Sequence, residues 1–261
     1  MVTGGTGSLG REVVSRLLNT PYQVRLLGHQ TRTEAPSADQ VLHGDLATGT
    51  GLHEATAGID AIIHCASNVS DPQGTDVAGT RALLEAARAN GAPLVVFVSI
   101  VGVDRTTYPY YRAKREAELL IEHAGLPWTI QRATQFHRFV HALLHSWGAD
   151  TQSEVSVPGN LRVQSIAVEE VADRLVARLE GGPRGYAPDL GGPKILPIEE
   201  MTQTYLRLRG RQATIHVTEP ANAMLSMMCT GIILTPAHAE GKMTWEQYVQ
   251  TLAQQGAAAS S

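Results

Sequence analysis

The feature that most restricts the fold of this chain is its opening run, "MVTGGTGSLGREVV", with glycines at positions 4, 5, 7 and 10. The spacing fits both Gly4-x-x-Gly7-x-x-Gly10 and the overlapping Gly5-x-Gly7-x-x-Gly10. Just behind it, Leu9, Val13, Val14, Leu17 and Leu18 recur at helical spacing, which predicts an amphipathic helix over residues 7–19. A glycine turn between a strand and a helix leaves backbone N–H groups unpaired at the positive end of the helix dipole, where a pyrophosphate is favoured. Gly4 and Gly7 then permit the turn and the close approach, and Gly10 the packing of helix on sheet. Only Met1, Val2 and Thr3 precede the glycines, against a usual strand of about 5–6 residues. The first strand is therefore either unusually short or continued by residues ahead of Met1.

The pattern that follows is an alternation. "YQVRLLG" and "QVLHGDL" read as strands, a short helix is expected at about 50–57, and "IDAIIHCAS" is an apolar strand. "GTRALLEAARANG" reads as a helix closed by Gly91, "PLVVFVSIVG" as a strand, Pro109 to Ala124 as a helix and "PWTIQRA" as a strand. Buried strands alternating with helices over short connections specify an α/β fold, a doubly wound parallel sheet of the Rossmann type. Beyond Arg132 the rhythm changes: "FHRFVHALLHSW", "EEVADRLVARLEG" and "IEEMTQTYLRLRG" read as helices, "LRVQSIAV" and "GYAPDLGG" as strands. The expected organisation is a dinucleotide-binding core over residues 1–133 and a smaller substrate-covering lobe over 134–261, packed as one unit with the core. The terminal "GAAASS" is expected to be a disordered tail.

A net charge of −4 with interspersed signs argues against nucleic acid, whose binding rests on clustered Lys and Arg. The chain has no apolar run of 18 residues and no basic-and-apolar leader, and its two cysteines lie far apart in apolar surroundings. These features point to a soluble, reduced, cytoplasmic protein that takes a small molecule, with no membrane or nucleic-acid partner. Oligomeric state, monomer or homodimer, is not readable.

The end of the second strand discriminates between nicotinamide cofactors, because a carboxylate there accepts ribose hydroxyls whereas basic residues accommodate a 2′-phosphate. Here Gly28-His29-Gln30-Thr31-Arg32 carries no carboxylate before Glu34, so NADP (as NADPH) is expected, with His29 and Arg32 on its phosphate. Asp45, in Gly44-Asp45-Leu46, falls where it can meet the adenine amino group.

The segments "TGGTGSLG", "GDL" and "IIHCAS", with "YYRAKREAE", "LPWTIQRATQFH" and the late "DLGGP", resemble the extended and atypical short-chain dehydrogenase/reductase superfamily, in its NmrA-like NAD(P)H-binding branch. The resemblance spans nearly the whole chain. It implies a cofactor site of Gly4, Thr6, Gly7, Ser8, Leu9, Gly10, His29, Arg32, Asp45, Leu46, Cys65, Ala66, Ser67 and Lys114, and a substrate pocket at Gln135, Phe136 and His137.

Within "TTYPYYRAKREAE", Tyr110 and Lys114 stand four apart on a helix whose first turn holds Pro109, so both can share one face. In the superfamily such a Tyr-x-x-x-Lys pair works with a serine at the end of the fifth strand, here Ser99. A phenol is a poor acid or base at neutral pH, and a neighbouring ammonium stabilises its phenolate. Lys114 would also hold the nicotinamide ribose, and Ser99 would position a substrate carbonyl. Should the helix begin later, Tyr111 could take the inward position.

His137, His141 and His145 recur every four residues but lack the acidic partner of a His-Glu-x-x-His site, so no metal is expected. Met224, Leu225, Met227 and Met228 read as core, and Cys65 as a small buried thiol. The resulting expectation is an NADP-dependent oxidoreductase moving hydride between nicotinamide and a small, fairly apolar carbonyl, quinone or enone. Two alternatives stay open: a cofactor-binding redox sensor without turnover, and an epimerase-like enzyme that retains its cofactor.

Overall fold

The computed structural model describes residues 1–28 and 38–258. In chain order its elements are β1 (Val2–Thr3), α1 (Ser8–Leu17), β2 (Arg25–Gly28), β3 (Gln40–His43), α2 (Leu52–Thr56), β4 (Ala61–His64), a π-helical turn (Gln73–Ala78) running into α3 (Gly79–Ala89), β5 (Leu94–Ile100), α4 (Pro109–Glu122) and β6 (Trp128–Ala133). There follow α5 (His137–Ser146), β7 (Glu154–Pro158), β8 (Arg162–Val163), α6 (Val168–Glu180), β9 (Gly185–Tyr186), β10 (Leu196–Pro197), α7 (Ile198–Leu208), β11 (Thr214–Thr218), α8 (Ala223–Cys229) and α9 (Trp245–Ala258).

The central sheet has the order β3-β2-β1-β4-β5-β6-β9 and is parallel, the doubly wound arrangement that the alternation specifies. Val2 sits between Leu26 and Ile63, and Thr3 between Leu27 and His64, so the short β1 holds the middle of the sheet. Leu27, Ile62, Val95, Phe97 and Ile130 pack one sheet face against Leu52, Leu83, Leu84, Ala117 and Ile121 of α2, α3 and α4. α1 packs on α6, which also touches β5.

The chain divides into two compact units. The first comprises Met1–Arg132 together with Val168–Pro188, so α6 and β9 belong with the dinucleotide-binding sheet although they lie beyond the expected boundary at 133. The reason is local to β6: Thr129 and Ile130 pair with Gly185 and Tyr186, which adds the returning chain as an edge strand. Arg178 reinforces this by donating to Gln131 Oε1 at 2.8 Å.

The second unit comprises Ala133–Ala167 and the chain from Asp189 onward. It contains two short ladders, antiparallel β8–β10 and parallel β7–β11, with α7 against β7, β10, β11 and α9. The segment "LRVQSIAV" is a strand only at Arg162–Val163, because Gln164 leaves the ladder to bond Gly192 O and Thr235. α9 continues through Ala258, so the first three residues of "GAAASS" are helical. Of the expected core cluster, Leu225, Met227 and Met228 are buried and Met224 is half-buried.

Candidate functional site

The glycine turn adopts the geometry that its spacing implies. Gly4 has φ +67°, a region that side chains rarely enter, and a Cβ there would lie 2.7 Å from the backbone N and Cα of Ala66, two residues beyond β4. Gly4 O accepts from Gly7 N at 2.9 Å, and Gly7 caps α1 without a side chain. A Cβ on Gly10 would lie 2.7 Å from Gly4 C and Gly5 Cα and still nearer Gly4 O, so only glycine lets α1 cross the turn this closely. Gly7 is exposed, and the first turn of α1 carries no acidic residue. Open backbone donors at an uncapped, acid-free helix N-terminus fit the pyrophosphate of a dinucleotide. Thr6, Ser8 and Leu9 complete the turn, with Leu9 buried in the core.

A second constellation lies beyond β4. His64 is fully buried, with Nδ1 2.6 Å from Thr3 Oγ1 and Nε2 3.0 Å from Thr80 Oγ1. Because Thr80 gives its proton to Asp76 O at 2.5 Å, its oxygen accepts from His64 Nε2–H, and Nδ1 accepts from Thr3. Burial, helped by the nearby Lys114 charge, pushes this imidazole down to about 3, so it is a neutral strut between the end of β1 and the start of α3. Burial likewise pushes the Cys65 thiol up to about 12, which makes it inert.

The π-turn carries Asp76, 1% exposed, and it organises the site. Asp76 Oδ1 accepts from Ser67 Oγ at 2.6 Å and faces Lys114 Nζ at 3.5 Å, while Oδ2 accepts from Asn68 N at 3.0 Å. Ser67 Oγ lies 2.9 Å from Tyr110 Oη. Lys114 is buried, its ammonium 4.2 Å from the centre of the Phe97 ring. α4 begins at Pro109, so Tyr110 is the half-buried tyrosine at the site and Tyr111 turns into the core. Ser99, at the end of β5, is 2% exposed, and among the described residues its Oγ has no hydrogen-bond partner. A buried orphan hydroxyl costs about 1–3 kcal/mol, and a ligand oxygen would relieve it.

Of the other expected residues, Asp45 follows β3 and accepts from Ala47 N at 2.8 Å, and Leu46 packs beneath Gly79 of α3. His29 and Arg32 lie outside the described residues. In the second unit, Gln135 and Phe136 pair with Ile166 ahead of α5. His137 corrects the expectation of a pocket histidine. It is 1% exposed, its Nε2 donates to Met243 O at 3.1 Å, its Nδ1 lies 2.8 Å from Ser165 Oγ, and it stacks on Tyr248. With both nitrogens engaged and burial pushing it down to about 4, it has neither proton nor lone pair for a substrate. The other two histidines of the series diverge from it, His141 to Tyr205 and His145 to Asp150.

Sequence reasoning missed Asp76. Its signal was a carboxylate three residues ahead of Gly79 at a helix start, indistinguishable in sequence from a solvated helix-capping acid.

A glycine turn and helix N-terminus opening beside the middle strands of a doubly wound parallel sheet define a dinucleotide-binding protein of the Rossmann class. Residues 4–180 match the NAD(P)H-binding family, and the chain belongs to that family. It is 29% identical over 218 residues to the (4-alkanoyl-5-oxo-2,5-dihydrofuran-3-yl)methyl phosphate reductase of Streptomyces griseus, covering 81% of this chain and 74% of that protein. It is 34% identical over 144 residues to the photosystem II assembly factor Ycf39 of Cyanophora paradoxa, covering 52% of this chain and 45% of that protein. The NADPH-dependent quinone oxidoreductase of Escherichia coli, solved with NADPH, shares the fold with a TM-score of 0.80 over 96% of this chain and 98% of that one, at 17% identity. Among the described residues no helix is long and apolar enough to cross a membrane.

Proposed function

We propose that this chain is an NADP-dependent oxidoreductase that reduces a small, fairly apolar carbonyl, quinone or enone. The observation that carries the reading is the cluster of Tyr110, Ser67, Asp76 and Lys114, assembled from the segment after β4, the π-turn and α4, with Ser67 next in the chain to Ala66, whose backbone abuts Gly4. A dinucleotide would rest on Gly4, Gly7 and Gly10, with Ala66 and Ser67 beside it and Asp45 toward the adenine; His29 and Arg32 would set the preference for NADP. The bound nicotinamide supplies the hydride. Tyr110 gives a proton to the substrate oxygen, Lys114 stabilises the phenolate left behind, and the unpartnered Ser99 hydroxyl holds the substrate oxygen in place. The unpaired thiols Cys65 and Cys229 suit a reducing cytoplasm.

The likeness to the Streptomyces reductase supports reductive chemistry. The likeness to Ycf39 favours a second reading, a protein that responds to NADP(H) without turning over. The two separate in one experiment. NADPH oxidation is followed over a panel of aldehydes, ketones, quinones and enones, with NADPH and NADH binding titrated by fluorescence. Tighter NADPH binding is expected, and Tyr110→Phe should keep that affinity while turnover falls by roughly 10²–10⁴-fold. Undiminished activity in Tyr110→Phe would put the proton donor elsewhere. Tight NADPH binding without wild-type activity across the panel would establish the second reading.

A further inference from the structure

The hydroxyl next to Tyr110 is Ser67, not the serine at the end of β5. Ser67 Oγ has one proton, and Asp76 Oδ1 at 2.6 Å takes it, because a carboxylate beside an ammonium accepts and cannot donate. At 2.9 Å from Tyr110 Oη, Ser67 can therefore offer only a lone pair, and the tyrosine must be the donor. The carboxylate cannot turn away from this duty. Its other oxygen is held by Asn68 N at 3.0 Å, its backbone carbonyl by Thr80 Oγ1, and its charge faces the buried ammonium of Lys114. Charged and titratable groups around it are Lys114 from α4, Tyr110 from the start of α4, and His64, neutral, from β4.

We infer that Asp76, acting through Ser67, is a positioning residue that holds Tyr110 as a hydrogen-bond donor, with its proton in place for transfer. The inference rests on the reductase reading for its catalytic consequence, and adds the group that orients the acid. With a bound nicotinamide that would supply hydride to the substrate carbon, the Tyr110 O–H bond would break as a substrate O–H bond forms. Ser67 then turns its O–H from Asp76 to donate a hydrogen bond to the phenolate, its own O–H bond intact, while Asp76 keeps Asn68 N and Lys114. Solvent returns the proton to Tyr110 after product leaves. A Ser67 hydroxyl without the carboxylate would be free to point its proton at Tyr110 from the outset, and the resting orientation would be lost.

The test uses Asp76→Asn, which keeps the shape of the side chain, together with Ser67→Ala, Ser67→Thr and the double variant Asp76→Asn/Ser67→Ala. On a substrate found with the panel, each of Asp76→Asn and Ser67→Ala should lower kcat by about 10–100-fold, and Asp76→Asn should keep NADPH affinity within about threefold of wild type. Ser67→Thr should restore most of the rate, and the double variant should be no slower than the slower single, since both changes break one chain. In parallel, protein labelled with ¹³Cζ-tyrosine is examined by NMR, with the Tyr110 resonance assigned through Tyr110→Phe. That resonance should move in both single variants while the other tyrosines stay, because its hydroxyl loses its acceptor. An unmoved Tyr110 resonance, additive losses in the double variant, or NADPH affinity that falls in step with kcat in Asp76→Asn would each overturn the inference. A wild type without turnover whose Tyr110 resonance still moves would overturn the reductase reading and leave the positioning role standing.

Discussion

Gly10→Ala and Gly7→Ala separate the two duties of the glycine turn, packing and access. At Gly10 a methyl group would meet Gly4 C and Gly5 Cα at 2.7 Å, with Gly4 O closer still, and all three are backbone atoms that cannot rotate aside. Overpacking of this kind costs about 1–3 kcal/mol, and a rigid obstacle puts it at the upper end. Against this, replacing glycine inside a helix by alanine gains about 0.5–1 kcal/mol, since Gly10 is the third residue of α1. The net loss is about 2 kcal/mol, which for a chain of this size lowers Tm by about 4–8 °C. The turn must also shift to admit the methyl, so the donors at the start of α1 move and NADPH binding weakens. At Gly7 the added Cβ would be 3.2 Å from Gly4 O, a clash relieved by a few tenths of an ångström, so stability should change little. Its methyl would stand on the exposed side of the turn, where a pyrophosphate must approach, and should weaken NADPH binding by tenfold or more. Thermal unfolding followed by circular dichroism gives one axis and fluorescence titration with NADPH the other. If Gly10→Ala melts with the wild type, the close crossing of turn and helix is wrong; if Gly7→Ala binds NADPH normally, the pyrophosphate does not lie on this turn.

Two further outcomes are expected. Burial depresses His64 to about 3 and His137 to about 4, so between those values and 6.5 the unfolded chain binds the protons and stability falls as pH drops; at pH 5 each contributes about 1.4 × 1.5, or about 2 kcal/mol. Urea midpoints at pH 7 and pH 5 should reveal the loss, His64→Asn should remove part of it, and equal midpoints at the two pH values would refute the buried neutral tautomers. Glu118 is fully buried and receives Arg132 through two hydrogen bonds of 2.8 and 2.7 Å, so Glu118→Ala should leave that guanidinium with Asp104 as its carboxylate partner and cost about 1.5–3 kcal/mol, read from the urea midpoint; a loss below about 1 kcal/mol would mean that solvent replaces the pair.

Much of the first unit is written in short-range pattern. The positions of α1 and α4 follow from apolar spacing and, in α4, from Pro109 at the first turn; with Tyr110 and Lys114 one helical turn apart, both point to the same side without further help. The demand for glycine at positions 4 and 10 is likewise local, because the turn and the helix it starts lie within a few residues of each other. The parallel, doubly wound character of the sheet followed from the alternation of strands and helices, and its strand order came from the tertiary structure. Other features depend on which distant residues meet. The sequence pattern does not say that Asp76 faces Lys114 across 38 positions, that Ser67 rather than Ser99 reaches Tyr110, or that His137 is spent on Ser165 and Met243. Nor does it say that α6 and β9 rejoin the first sheet, or that β7 finds β11 some 60 residues away. An isolated carboxylate, hydroxyl or imidazole has the same local signature whether it is solvated or buried. Only packing, which removes water and leaves each buried polar group to find its partner among its neighbours, decides its role.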